Sequence, residues 1–206
     1  MKLQIAMDMT TKEVFWDVLE KIHDLIDIIE LGNIATFTGA DFIPIVKEKY
    51  PGKEIVWDMK VAFLYTNIPA IDLGADYVSV ADNATDQDFI EHLEYCHARG
   101  CKVIGDMVTA AGSRGFIRLE KLGVDQISFY PNAFDKYPVG DVKQFEIGKL
   151  LVKNTEMAPY GGFTPENVIP VLELKPDVLI VGKAIWDAED PRAVTLKFRE
   201  LMEQYS

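Results

Sequence analysis

Glu54-Ile55-Val56-Trp57-Asp58-Met59-Lys60 is a short β-rich apolar run that ends in a carboxylate and an amine. Two such groups are costly to bury unless they pair or hold a ligand, and the tip of a buried strand is where α/β enzymes place them. Outward from this stretch the same pattern recurs. Apolar runs at 3–7, 26–30, 54–57, 77–80, 102–106, 126–129, 156–158 and 178–181 alternate with amphipathic segments, with no low-complexity linker between them. Eight βα units in 206 residues predict one domain, residues 1–206, of the α/β class and folded as a single (βα)8 TIM barrel. An open flavodoxin-like sheet would need only about five or six units.

Helix boundaries fit this reading. Thr10-Thr11-Lys12-Glu13 offers a capping box, and Thr164-Pro165 and Asp190-Pro191 each set a capping side chain before a proline at the first helical position. Arg99-Gly100 and Leu122-Gly123 supply glycine stops. Val194, Phe198, Leu201, Met202 and Tyr205 form the apolar stripe of a final helix.

Thirty-three acidic against twenty-one basic residues give a net charge of -12, which disfavours nucleic acid and anionic membrane as partners. No apolar stretch reaches the roughly 20 residues of a membrane span, and no signal-like segment opens the chain, so the expected location is cytoplasmic. Cys96 and Cys101 lack metal-site companions and read as reduced, structural thiols.

In a barrel of this type the C-terminal strand ends share one face. That rule gathers Asp8, Glu30, Asp58, Lys60, Asp82, Asp106 and Tyr130 into one ring. Taken singly, each acid is equally well read as a solvated strand end. Several carboxylates around one lysine raise one another's pKa and attract a hard divalent cation, for which Mg2+ is the natural choice. Tyr160-Gly161-Gly162-Phe163 and Val181-Gly182-Lys183-Ala184 follow the last two strands, where this fold binds phosphate through backbone N–H groups. Gly162, Gly182 and Lys183 are therefore candidate phosphate-binding residues, and a small phosphorylated molecule is the expected partner.

These residues resemble the orotidine 5′-monophosphate decarboxylase suprafamily over essentially the whole chain. Within it they are most similar to the branch of 3-hexulose-6-phosphate synthase and 3-keto-L-gulonate-6-phosphate decarboxylase. The resemblance rests on Leu3 to Asp8, Asp27 to Gly32, Val56 to Lys60, Leu73 to Val78, Gly161-Gly162 and Pro176 to Gly182. It implies a homodimer with active sites at the subunit interface, and Mg2+ held by Glu30 and Asp58. Lys60 would stabilise an enediolate, Asp8 would bind substrate polar groups, and Asp106 would help hold the sugar. The implied activity is a phosphosugar lyase, an aldolase or decarboxylase, most like 3-hexulose-6-phosphate synthase.

Two positions depart from the family pattern. Phe63 stands where the Asp-x-Lys-x-x-Asp motif has its last aspartate, and Tyr130-Pro131-Asn132 follows the sixth strand in place of a histidine. Tyr130 is the candidate donor there, and Pro131 to Gly140 reads as a loop over the ligand. His23, His92 and His97 all fall on predicted helices. The alternative function is therefore a non-catalytic or regulatory sugar-phosphate-binding homologue. Orotidylate decarboxylation and pentose-phosphate epimerisation fit less well, for want of the alternating charges and the metal-binding histidines respectively.

Overall fold

The computed structural model describes residues 1–8, 11–108, 112–131 and 142–205. Among these, eight strands run β1 (Lys2–Ala6), β2 (Ile28–Leu31), β3 (Glu54–Trp57), β4 (Tyr77–Ala81), β5 (Lys102–Asp106), β6 (Gln126–Phe129), β7 (Glu156–Pro159) and β8 (Val178–Val181). The helices are α1 (Lys12–Ile22), α2 (Ile34–Thr38), α3 (Phe42–Lys49), α4 (Leu64–Asp72), α5 (Asp86–His97), α6 (Ser113–Leu122), α7 (Lys143–Leu151), α8 (Ile169–Glu173), α9 (Lys183–Trp186) and α10 (Pro191–Gln204). All strand pairs are parallel, in the order β7-β6-β5-β4-β3-β2-β1-β8. The Asp177 N–H, just before β8, donates to the Met157 carbonyl of β7 at 3.1 Å and brings the two sheet edges together. The chain is a (βα)8 barrel.

Continuous burial along the strands follows from this arrangement, since each has helices on one face and the barrel interior on the other. Leu3, Ile5, Ile29, Ile55, Val78, Val103, Ile127 and Leu179 pack outward against the helices. Ala6, Ile28, Val56, Tyr77, Ile104, Ala158, Val178 and Ile180 fill the interior.

The lower rim repeats one device four times. Asp27, Asp76, Asp125 and Asp177 each precede an even-numbered strand. Each accepts through its carboxylate from the N–H of Leu3, Ile55, Val103 or Met157 on the strand before, at 2.7 to 2.8 Å. Each also donates its own N–H to the carbonyl of that same residue. The carboxylate thus satisfies a strand-end donor that the ladder leaves over. Asp76 does most, because Lys47 Nζ binds both its oxygens at 2.9 Å. Asp76→Ala should lower stability by about 1–3 kcal/mol, the usual effect of orphaning a buried donor. A thermal midpoint lower by about 2–4 °C per kcal/mol is the measurement that checks this.

Boundaries differ from the sequence expectations in instructive places. β1 and β2 shift by a residue or two, and β4 and β7 each extend by one. The first helix is capped by Thr11, whose hydroxyl accepts from Val14 N; Thr10 lies outside the described residues. Thr164-Pro165 opens a turn, and α8 starts only at Ile169. Asn167 is the cause: its Oδ1 accepts from Thr164 N at 2.8 Å and its Nδ2 donates to the Gly162 carbonyl at 3.1 Å. That side-chain bonding competes with a helical turn. Asp190 caps α10 as expected, accepting from Ala193 N, and Gly123 ends α6 with φ of 78°.

Candidate active site

The strand tips surround a cavity of about 630 Å3 lined by Asp8, Glu30, Asp58, Lys60, Asp106, Tyr130, Gly162, Gly182 and Lys183, among others. Of the strand-tip and loop candidates named from the sequence, all but Asp82 therefore reach one space. Its size suits a small phosphorylated metabolite.

Lys60 is the hub. Its backbone sits at φ 48°, an uncommon left-handed conformation for a non-glycine residue, and its N–H donates to Ser79 Oγ at 2.8 Å. Its ammonium donates to Asp58 Oδ2 and, at 2.8 Å, to Asp106 Oδ2. Burial opposes the Lys60 charge, but Asp58, Asp106 and Glu30 outweigh it and hold the amine above the ordinary lysine range. Lys60 is thus a fixed cation at neutral pH, suited to stabilising an anion.

Glu30 ends inside the barrel, 5% exposed, and its Oε2 accepts from Gln4 Nε2 at 2.6 Å. Burial, then the neighbouring Asp58, pushes its carboxyl well above the usual carboxylate range, while Lys60 pulls it part of the way back. Asp106 is likewise raised by burial against the pull of Lys60. Asp8 stands over Gly32. A Cβ there would lie 2.2 Å from Asp8 Oδ1, so any side chain at residue 32 would displace the Asp8 carboxylate. Asp8 Oδ1 accepts from Asn33 N at 3.0 Å, which sets its rotamer.

Among the described residues no group of three His, Cys, Asp or Glu side chains converges on a metal-sized point. The donor chemistry nevertheless fits a hard cation. Glu30 and Asp58 offer carboxylate oxygens in a site whose anions repel one another, and Mg2+ commonly takes one or two carboxylates with water and substrate oxygens.

On the opposite wall Gly161 and Gly162 adopt φ of 126° and 65°. A Cβ at Gly182 would press within 3.2 Å of the Ala6 carbonyl. Lys183 begins α9, but its side chain is 77% exposed and lies 3.8 Å from Asp187. Its charge is therefore solvent-facing and partly offset by Asp187.

Asp82 and Arg114 are not among the cavity residues. Arg114 belongs to α6, and the Asp82 carbonyl accepts from Arg118 Nη1 at 2.6 Å. Phe63 is 57% exposed outside the cavity, stacked on Tyr65 with ring centres 5.8 Å apart. His92 is wholly buried beneath α5, with Nδ1 2.7 Å from the Asp88 carbonyl, and His97 lies 2.9 Å from Asp125. Of the expected loop 131–140, only Pro131 is among the described residues. The sequence reading passed over Tyr160, Ser79 and Gln4; Tyr160 follows β7 directly, so the strand-tip rule that found Asp8 applied to it equally.

Residues 1–198 match the model of the orotidine 5′-phosphate decarboxylase / HUMPS family. The chain belongs to this family. Among the family's proteins it is 27% identical to 3-hexulose-6-phosphate synthase 3 of Staphylococcus saprophyticus, over 98% of this chain and 99% of that protein. It is 26% identical to the 3-hexulose-6-phosphate synthase of Staphylococcus aureus (strain USA300), over 98% and 99%. The crystal structure of 3-hexulose-6-phosphate synthase from Salmonella typhimurium superposes over the full length of both chains, with a TM-score of 0.91 and 28% identity. Within the family this chain falls in the branch of these 3-hexulose-6-phosphate synthases. No helix of the described residues is long and apolar enough to cross a membrane.

Proposed function

We propose that this chain is a Mg2+-dependent phosphosugar lyase that works through an enediolate, most like 3-hexulose-6-phosphate synthase. The observation that carries the reading is the Lys60 ammonium, held between Asp58 and Asp106 inside a cavity that also receives Glu30 and the two glycine loops. Ribulose 5-phosphate is the first substrate to test. Its phosphate would rest against Gly162, Gly182 and Lys183, leaving its carbonyl end toward Lys60.

A base in the site takes a proton from the carbon beside the carbonyl and leaves an enediolate. Lys60 offsets the charge on its oxygen, an interaction stronger in the transition state than in the ground state. The nucleophilic carbon then attacks formaldehyde, and the new alkoxide takes the proton back from the protonated base. Asp8 would orient substrate hydroxyls. Mg2+ held by Glu30 and Asp58 would supply Lewis-acid polarisation of the carbonyl. The active unit is a homodimer in this reading, and the exposed pair Phe63 and Tyr65 offers apolar surface for it.

A second reading has a specific basis: among the described residues no histidine lines the cavity, and Phe63 lies outside it. A binding homologue without turnover would match those two facts. An assay of formaldehyde-dependent consumption of ribulose 5-phosphate with Mg2+, beside calorimetric titration of the same sugar phosphate, separates the two. Turnover supports the lyase; tight binding with neither condensation nor decarboxylation of keto-gulonate phosphate supports the binding homologue.

A further inference from the structure

We propose that Tyr160 is a positioning residue for Lys60, acting through Asp106, and that Asp106 serves to hold the lysine and not the sugar. The inference rests on the lyase reading for its kinetic readout and on geometry alone for its structural one.

Tyr160 follows β7, and its hydroxyl donates to Asp106 Oδ1 at 2.8 Å. The other oxygen of the same carboxylate accepts from Lys60 Nζ at 2.8 Å. Asp106 is 1% exposed, so both of its oxygens are committed inside the protein and its plane is fixed from two sides. Tyr160 also meets the lysine directly, with Nζ 5.6 Å from the ring centre, a distance at which the ring face attracts a cation. The phenol is held above its ordinary pKa by burial and by Asp106, and so remains a donor at neutral pH.

Tyr130 fixes the ring from behind, with centroids 4.4 Å apart and planes at 57°. That packing explains Gly161. A Cβ at residue 161 would fall 2.6 Å from Tyr130 Cδ1, and φ of 126° disfavours any side chain there. Lys60 is thus held at its amine by two carboxylates, at its backbone by Ser79, and at one carboxylate by Tyr160. Without the hydroxyl, Asp106 is free to turn, and the ammonium can settle on Asp58 away from the enediolate oxygen.

Tyr160→Phe keeps the ring and removes only the donor. Displacement of a reacting group by a fraction of an ångström, or loss of an outer partner, typically lowers turnover about 10- to 100-fold. The expected result is that fall in kcat with KM changed less than about 3-fold, since the phosphate wall is untouched. Nitrogen-15 NMR of lysine ammonium groups, with the Lys60 signal assigned by its loss in Lys60→Ala, reads the geometry without any need for turnover. Tyr160→Phe should shift that signal and speed its proton exchange. Gly161→Ala, which drives a Cβ into Tyr130, should reproduce both effects. A Lys60 signal identical in wild type and Tyr160→Phe overturns the proposal, whatever the rates show, as does a wild-type kcat in that variant. An inactive wild type would defeat the lyase reading alone, and the NMR comparison would still decide the role of Tyr160.

Discussion

Lys60→Ala should lower turnover by about 10²–10³-fold, the loss typical when one preorganised charge facing a developing oxyanion is removed. The amine is the cation that Asp58 and Asp106 jointly hold, whereas in the proposed reading the glycine loops of the opposite wall anchor the phosphate. The fall should therefore appear in kcat, with binding measured by calorimetry largely retained. Asp106, 1% exposed, loses its countercharge in this variant. Removing one partner of a buried ion pair leaves the other uncompensated, so a lower thermal midpoint should accompany the kinetic loss. Lys60→Arg restores the charge but not the compact ammonium geometry, and should recover stability more fully than rate. Steady-state kinetics and thermal unfolding of the two variants together check the assignment.

Glu30→Gln should do the opposite to stability while also removing activity. Burial and the nearby Asp58 raise the Glu30 pKa, so its ionised form is a strain on the fold. A carboxyl raised above its unfolded value contributes stability that is full below the unfolded pKa and is lost as pH rises through the folded one. Without metal, wild type should therefore lose stability relative to Glu30→Gln as pH rises through that window, and the variant should be the more stable above it. Each kcal/mol relieved corresponds to about 2–4 °C in thermal midpoint for a chain of this size. The amide still offers an oxygen to Gln4 Nε2, so packing is preserved. Saturating Mg2+ should reverse the order: a ligand at 100 times its Kd stabilises by about 2.7 kcal/mol, available to wild type and largely denied to the variant. Thermal unfolding across pH, in chelator and in Mg2+, checks both halves.

The barrel was legible because a parallel sheet covered by helices writes its strands as continuous apolar runs, and the residues just past each run stand at a strand tip. Asp8, Glu30, Asp58, Lys60 and Tyr130 could be gathered on that rule, and all line the cavity. Side-chain pairing across strands lay beyond the reach of that rule. The resemblance implies a sugar-holding role for Asp106, and only the fold shows Lys60 and Tyr160 bonded to its two oxygens. The left-handed backbone of Lys60 has no signature in a residue type that rarely adopts it. Thr164-Pro165 carries a true capping signal, overridden by Asn167 three residues later. The four rim aspartates stand in plain view before the even strands, but their function depends on a neighbouring strand that the sequence does not place beside them.

In the proposed mechanism the Lys60 site stabilises an enediolate. Incubation of ribulose 5-phosphate with the protein and Mg2+ in deuterium oxide, without formaldehyde, tests it most directly by proton NMR of the carbon-bound hydrogens beside the carbonyl. Their replacement by deuterium is expected with wild type, and their retention with Lys60→Ala. Wild-type protein that binds the sugar phosphate yet leaves those hydrogens in place would contradict it.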